Sequence, residues 1–486
     1  MRSMPTTERV LGMLIDGCTV TTSSARPVVD PYDGRVLAHV ADAGPDEVRR
    51  ALDAAVAAAR AARDSSALER SHVVARASEL VEANHESLAR TIASEGIKTI
   101  REARRETTRC AITLRLAAEE ARRLGGETMR MDAFDNGGGR VAYWTREPVG
   151  VVAAITPFND PLNLVAHKIG PAIAGGNAVV VKPHEQTPLS ALRLGELFVE
   201  AGAPPGLVQV VTGSGAVAGE ALVGADDVDM VSFTGGARTA VRIARVAGPK
   251  RTTMELGQSG ATIVMDDADL ERAVPAVASG AFAAAGQNCL HVQRVLVHDA
   301  VYDDVVERLV DAACSLRLGD KLDPATDMGP LIDERAAQRV RDAVADARKH
   351  GARLLTGGPG AGTSMPPTLL DDVPDAHPVA YEEIFGPVTV VRRVATLDEA
   401  VAVANFGRGA VHSAVFTGSL ERAHFAVRRL AAGGVIVNDS TDFRVDGMPF
   451  GGTGGSGLGR EGVRFATEAM TEPKLACFAL AGPGSP

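Results

Sequence analysis

Val208-Gln209-Val210-Val211-Thr212-Gly213-Ser214-Gly215 and Met230-Val231-Ser232-Phe233-Thr234-Gly235-Gly236 follow one pattern. Each is a short apolar run, then a turn of threonine and glycine. A helix-forming stretch follows each, over residues 216–223 and 237–246. Runs of this length bounded by glycine read as buried strands. Working outward, residues 178–181 read as a strand and 189–201 as a helix, with strands before them at 141–146 and 149–155. Strands alternating with helices argue for a parallel sheet with crossover helices, that is, an α/β fold. A second α/β block begins after Gly257, with strands near 262–265, 294–297 and 388–391 and helices at 301–313 and 334–350. Ahead of both, residues 13–40 alternate apolar runs with turns, Asp33-Gly34 being a hairpin signal. Residues 45–121 form an Ala-rich helical layer that Asp46 can cap.

The chain has 486 residues, enough for two or three domains. Its net charge of −10 disfavours nucleic acid as a partner, since no surplus of cations exists to neutralise phosphates. The arginines at 101–105 alternate with Glu102 and Glu106 and read as a solvated helix face. Five cysteines, none in a CxxC pair, suggest neither a disulfide framework nor a metal site, and fit a reducing compartment. The start lacks the apolar run of a signal peptide, and no stretch of about 18 apolar residues suits a membrane span. A soluble cytoplasmic protein is expected.

Two stretches carry the chemistry. Gly286-Gln287-Asn288-Cys289 places a thiol after a flexible turn, and Met254-Glu255-Leu256-Gly257 places a carboxylate beside a glycine. A nucleophile and a water-activating base are what two-step acyl chemistry needs. The glycine turns after the two strands would let backbone amides approach a phosphate, although their spacing is not GxGxxG and one such turn alone is more often merely tight. Two in succession shift the reading towards a dinucleotide. In Lys182-Pro183-His184-Glu185, a carboxylate past a strand end suits ribose hydroxyls and would repel a 2′-phosphate. In Ile155-Thr156-Pro157-Phe158-Asn159-Asp160-Pro161, Asn159 can donate to an oxyanion, although a capping Asn is the commoner role.

Asn159, the 182–185 run, Phe233-Thr234-Gly235, Glu255-Leu256-Gly257, Gly286–Cys289, Glu382-Glu383-Ile384-Phe385-Gly386-Pro387 and Pro449-Phe450-Gly451-Gly452 stand in the order found in the NAD(P)-dependent aldehyde dehydrogenase superfamily, which the chain resembles over nearly its whole length. The resemblance implies Cys289 as nucleophile, Glu255 as general base, and Asn159 with the Cys289 backbone N–H as oxyanion donors. It places Ile155, Thr156, Lys182, Glu185, Gly215, Gly219, Phe233, Thr234, Gly235, Gly236, Leu256, Glu383 and Phe385 around the cofactor. Glu185 is the family's usual sign of NAD, with NADP as the second option. The architecture so implied is a Rossmann-like cofactor domain (1–126 and 149–256), an α/β catalytic domain (257–453), and a β-strand oligomerisation arm (127–148) with a C-terminal tail (454–486). Assembly as a homo-dimer or homo-tetramer is expected. The sequence departs from the family at Gln258-Ser259, where relatives often carry Gly-Lys, and at Gly454, where they often carry lysine.

Arg109, Asp160 and Arg444 are the candidate substrate contacts. Asp442-Phe443-Arg444-Val445-Asp446 resembles the lactaldehyde, non-phosphorylating glyceraldehyde-3-phosphate and phosphonoacetaldehyde branches. Two arginines at a pocket mouth suit a small polar or anionic aldehyde. The alternative is a structural pairing, such as Arg444 with Asp442 or Asp446. Rival functions are a CoA-acylating dehydrogenase, a catalytically silent member of the fold, and a cofactor-free cysteine hydrolase needing a histidine partner.

Overall fold

The computed structural model describes residues 10–480 other than Gln258 and Arg408. The departure at Gln258 and the outermost ends of the expected first domain and tail lie outside the described residues.

The first sheet has eight strands, in the order Gly457–Leu458, Arg251–Glu255, Met230–Thr234, Val151–Ile155, Ala178–Lys182, Val208–Val210, Met13–Ile15, Cys18–Val20. The five from Arg251–Glu255 to Val208–Val210 run parallel, as the strand–helix rhythm predicts. Val179, Val180 and Val181 are fully buried, the signature of a parallel strand covered on both faces. The crossover helix Ala237–Ala247 buries Ala240, Ile243 and Ala247 on one stripe. The predicted helix at 216–223 begins instead as a π-turn over Gly215–Gly219 and continues as Glu220–Gly224.

Register decides where function gathers. Ile155 pairs with Lys182 and with Phe233, and Thr234 pairs with Glu255, so these four strands end along one edge of the sheet. Beyond the carboxyl ends of parallel strands is where α/β sheets bind ligands.

A seven-stranded sheet follows, in the order Arg353–Thr356, Thr368–Asp371, Val388–Val394, Arg294–His298, Ala261–Val264, Ala410–Phe416, Ala432–Val437. At Gly457–Leu458 the chain returns to the first sheet, and helix Val463–Ala469 then packs on Asn163–Ala174. Thr471–Ala479 then pairs antiparallel with Arg140–Pro148, whose other edge takes Glu127–Met129. The hairpin at Asp33-Gly34 forms, with Gly34 at φ 77°. The helical layer comprises Pro45–Asp64, Ala67–Ala83, His85–Glu95 and Ile100–Ala121. Its first cap is not Asp46. Gly44 takes that place, its N–H donating to Glu47 at 2.9 Å, because Pro45 at the first helical position starts the helix two residues earlier.

Candidate active site

Helix Leu270–Phe282 gives way to a short 3-10 turn, Ala283–Gly286, that delivers the chain to Cys289. Ala284 and Ala285 adopt φ of 51° and 52°, and Gly286 adopts 67°. Left-handed alanines cost roughly 1–2 kcal/mol each, so the surroundings must hold this turn. A Cβ on Gly286 would lie 2.1 Å from the Gly386 carbonyl, so only glycine lets the turn before Cys289 pack against the loop carrying Glu383 and Phe385. Two glutamines flanking Cys289 tie the chain to neighbouring loops. Gln287 accepts from the Ile332 N–H (3.0 Å) and donates to the Pro330 carbonyl (3.1 Å). Gln293 accepts from the Ile384 N–H (2.7 Å) and donates to the Glu382 carbonyl (2.6 Å). Phe385 stands at φ 54° with its ring edge-to-face on Phe158.

Glu255 ends its strand buried, and neither carboxylate oxygen has a hydrogen-bond partner among the described residues. Burial, reinforced by Glu461, raises its pKa well above the usual range, against the pull of Arg444, Lys168 and Arg460. Glu461 goes the other way. Burial opposes its charge, yet Lys168, His167 and Arg444 hold its carboxyl down to about 2. Lys168 donates to Glu461 at 2.9 Å and to Ser232 at 3.1 Å. Burial likewise pushes the Cys289 thiol up to about 12, with Glu255, Glu383 and Glu461 adding to the shift and Arg444 opposing it. The resting site therefore holds a protonated thiol, a carboxyl reluctant to ionise and a fixed anion beneath them. His291 is buried behind the loop, where burial pushes its imidazole down to about 4.

Asn159 is buried on the loop between Val151–Ile155 and helix Asn163–Ala174. The N–H groups of Leu162 and Asn163 donate to Glu106 at 2.8 and 3.0 Å, giving the start of this helix the acceptor it lacks. The expected solvated face at 101–106 is thus corrected. Arg101 and Arg105 are exposed, but Glu106 is buried, because a helix start needs its charge. Lys98 bridges Glu106 (2.8 Å) and Asp160. Arg109 forks onto Asp446 (2.7 and 3.3 Å) and lies 3.6 Å from Asp160. Arg444 pairs with neither Asp442 nor Asp446. Its guanidinium sits 3.6 Å from Glu461 and 3.6 Å above the Phe450 ring centroid. Arg109 has taken Asp446, together with His167 at 2.9 Å.

A cleft of about 1320 Å³ joins these groups, and every residue singled out above as a candidate contact lines it. Its chemical end holds Cys289, Glu255, Asn159, Asp160, Arg109 and Arg444. Along the strand edge lie Ile155, Thr156, Lys182, Glu185, Phe233, Thr234 and Leu256, with Gly215, Gly219, Gly235 and Gly236 at the helix starts. Glu185 accepts from the Gly215 N–H at 3.2 Å, and burial pulls the Lys182 ammonium down to about 8. These residues fit a dinucleotide. Among the described residues, the Thr156 hydroxyl is buried without a partner and no atom lies within 4 Å of where a Cβ on Gly236 would stand, at the first cap of Ala237–Ala247. A Cβ on Gly257 would meet Glu383 at 1.9 Å, so Glu383 folds over this glycine. His184 lines the cleft as well, with burial pushing it down to about 4, a poor base for a thiol.

Sequence reasoning missed Glu461, Lys168, His167, Asp446, Lys98, Glu102 and Glu106. One signal was available. His167 and Lys168 interrupt the apolar run Leu164-Val165-Ala166, and a cation inside a buried helix requires a partner. Its partner, Glu461, lies 293 residues along the chain, which no local pattern reveals.

Residues 19–476 match the aldehyde dehydrogenase family. The chain is 46% identical to aspartate-semialdehyde dehydrogenase 1 of Pseudomonas canavaninivorans over 455 residues, covering 94% of this chain and 97% of that protein. It is 40% identical to 3-sulfolactaldehyde dehydrogenase of Priestia aryabhattai, covering 96% and 97%. The glyceraldehyde-3-phosphate dehydrogenase GapN from Methanocaldococcus jannaschii, solved in complex with NADP, superposes with a TM-score of 0.90 at 36% identity, over 94% of this chain and all of that one (100%). Two α/β sheets, a cysteine on a strained turn, a partnerless buried carboxylate and these likenesses agree: the chain belongs to the aldehyde dehydrogenase family.

Proposed function

We propose that the protein oxidises a small polar or anionic aldehyde to its carboxylic acid with NAD, through a covalent intermediate on Cys289. The observation carrying this reading is that a half-buried thiol and a buried carboxylate with no hydrogen-bond partner among the described residues line one cleft. Cys289 passes its proton to water and its thiolate sulfur attacks the aldehyde carbon, forming a thiohemiacetal anion. Asn159 and the Cys289 backbone N–H hold the oxyanion. One such donor is typically worth about 100- to 1000-fold in rate. NAD, when bound, supplies the hydride acceptor. Once the thioester has formed, Glu255 takes a proton from water, whose oxygen attacks the acyl carbon. The C–S bond breaks and the carboxylic acid leaves. A raised pKa suits Glu255 to this task, since a base works best near the operating pH.

Lys182 and Glu185 suit the adenosine ribose, and Glu185 favours NAD. NADP remains the second option, because GapN binds it. Glu383 and Phe385 would position the nicotinamide end. On the substrate side, Arg109 and Arg444 would face an anionic group and Asp160 a hydroxyl or amine. The names of aspartate-semialdehyde, 3-sulfolactaldehyde and glyceraldehyde-3-phosphate dehydrogenases point to substrates of that charge. Retention of Glu255 favours water over CoA as the thioester acceptor.

The cofactor domain would comprise residues 1–126 and 149–256, the catalytic domain 257–453, and the arm and tail 127–148 and 454–486. The arm sheet exposes Val141, Tyr143, Leu475 and Phe478, which supports burial against a second copy in a homo-dimer or homo-tetramer. Free cysteines support a cytoplasmic setting. No described helix is long and apolar enough to cross a membrane.

The test is a comparison of kcat/KM for aspartate semialdehyde, 3-sulfolactaldehyde, succinate semialdehyde and hexanal. The anionic substrates should win, and Arg109→Ala should narrow their lead. A preference for hexanal untouched by Arg109→Ala would rule out anion selection. Acyl-CoA formed on adding CoA would replace hydrolysis by acyl transfer.

A further inference from the structure

Two helices of the amino-terminal layer begin with the same device. Before Ala67–Ala83, the Ser66 N–H and hydroxyl donate to Oε2 of Glu69, both at 2.8 Å, while the Ser66 hydroxyl accepts from the Glu69 N–H at 3.2 Å. Before Ile100–Ala121, Thr99 and Glu102 repeat this arrangement at 2.8, 2.9 and 3.4 Å. The second oxygen separates the two cases. Oε1 of Glu102 accepts the backbone N–H of Ala284 at 2.7 Å, across 182 residues of sequence. Ala284 is the first of three successive left-handed residues before the nucleophile. Its carbonyl is gripped as well, accepting from the Gln287 N–H at 3.0 Å and from Gln287 Nε2 at 3.2 Å.

We propose that Glu102 is a positioning residue for the nucleophile: by holding the Ala284 N–H it keeps the strained turn in place and fixes where the Cys289 sulfur and backbone N–H point. This rests on Cys289 being the nucleophile. The chemistry demands a carboxylate. Both oxygens of Glu102 face N–H donors, so a glutamine would turn its own NH₂ towards one of them and lose that bond. Glu69 uses one oxygen for its cap, so a glutamine there can rotate its amide and keep it.

The experiment compares Glu69→Gln, Glu102→Gln and Glu102→Gln/Ala284→Gly in the full-length enzyme, reading kcat, KM for NAD, thermal midpoint and the iodoacetamide rate at Cys289. Glu69→Gln should leave all four unchanged. Glu102→Gln should lower kcat by about tenfold or more, since small misplacements of reacting groups are this damaging. It should also alter the alkylation rate and leave KM for NAD as it was. Glycine accepts φ near 51° without a Cβ penalty, so Ala284→Gly should recover much of the lost kcat. The proposal is overturned if Glu102→Gln keeps kcat within twofold. It is also overturned if kcat and midpoint fall together and Ala284→Gly restores neither, which would leave Glu102 a helix cap alone. Turnover by Cys289→Ala would instead sink the nucleophile reading.

Discussion

The two halves of the cleft are built by different means. The cofactor half is local. Val208–Val210 and Met230–Thr234 each hand the chain to a glycine turn and a helix start, and the parallel register aligns the ends of the central strands along one edge. The chemical half is assembled at long range, with Glu255 from the first sheet, Cys289 from a kinked turn and Glu461 from near the end of the chain. Backbone geometry sets the first half, and it can be damaged one Cβ at a time. Charge balance sets the second, and removing one member disturbs all the rest.

The largest effect should come from Cys289→Ala, which is expected to abolish turnover while leaving NAD binding, measured by calorimetry, intact. Loss of both would mean that the halves are not separable. Next, Glu461→Ala strands Lys168 as a buried unpaired charge. Such losses destabilise by roughly 3–5 kcal/mol, so denaturant unfolding should show the deficit, whereas Glu185→Ala at the cofactor end should show little. The thiol supplies a pH test. With its pKa near 12, the thiolate fraction below that value grows about tenfold per pH unit, so alkylation of Cys289 in the free enzyme should climb at that slope from pH 7 to 10. A plateau by pH 8 would mean that the site stabilises the thiolate.

Within the cofactor half, glycines should differ sharply. Gly257→Ala places a Cβ 1.9 Å from the Glu383 carboxylate, forces that side chain aside and should raise KM for NAD tenfold or more. Gly236→Ala meets nothing within 4 Å and should change it less than about twofold, the smallest effect expected here. Equal effects would show that backbone clearance does not shape this end.

The same contrast explains what could be read before any coordinates. The strands around Val179–Val181 and the glycine turns after Val210 and Thr234 announce themselves within a few residues, because burial and tight turning are local demands. Motif order singled out Asn159, Glu255, Cys289 and Glu383, and these four line one cleft. The ion pairs were not. Arg444 has acids at 442 and 446 as sequence neighbours, yet Glu461 lies 3.6 Å away and Asp446 goes to Arg109, since the fold and not proximity in sequence decides which charges meet. Glu106 looked solvated for the same reason. The helix start it serves lies 56 residues away.

The account turns on a thioester at Cys289 that Glu255 helps water to break. Rapid mixing of Glu255→Gln with NAD and a small anionic aldehyde should give a burst of one NADH per active site and then stop, with the acyl mass on the peptide carrying Cys289. Steady turnover without a burst, or a burst with no mass on that peptide, would contradict it.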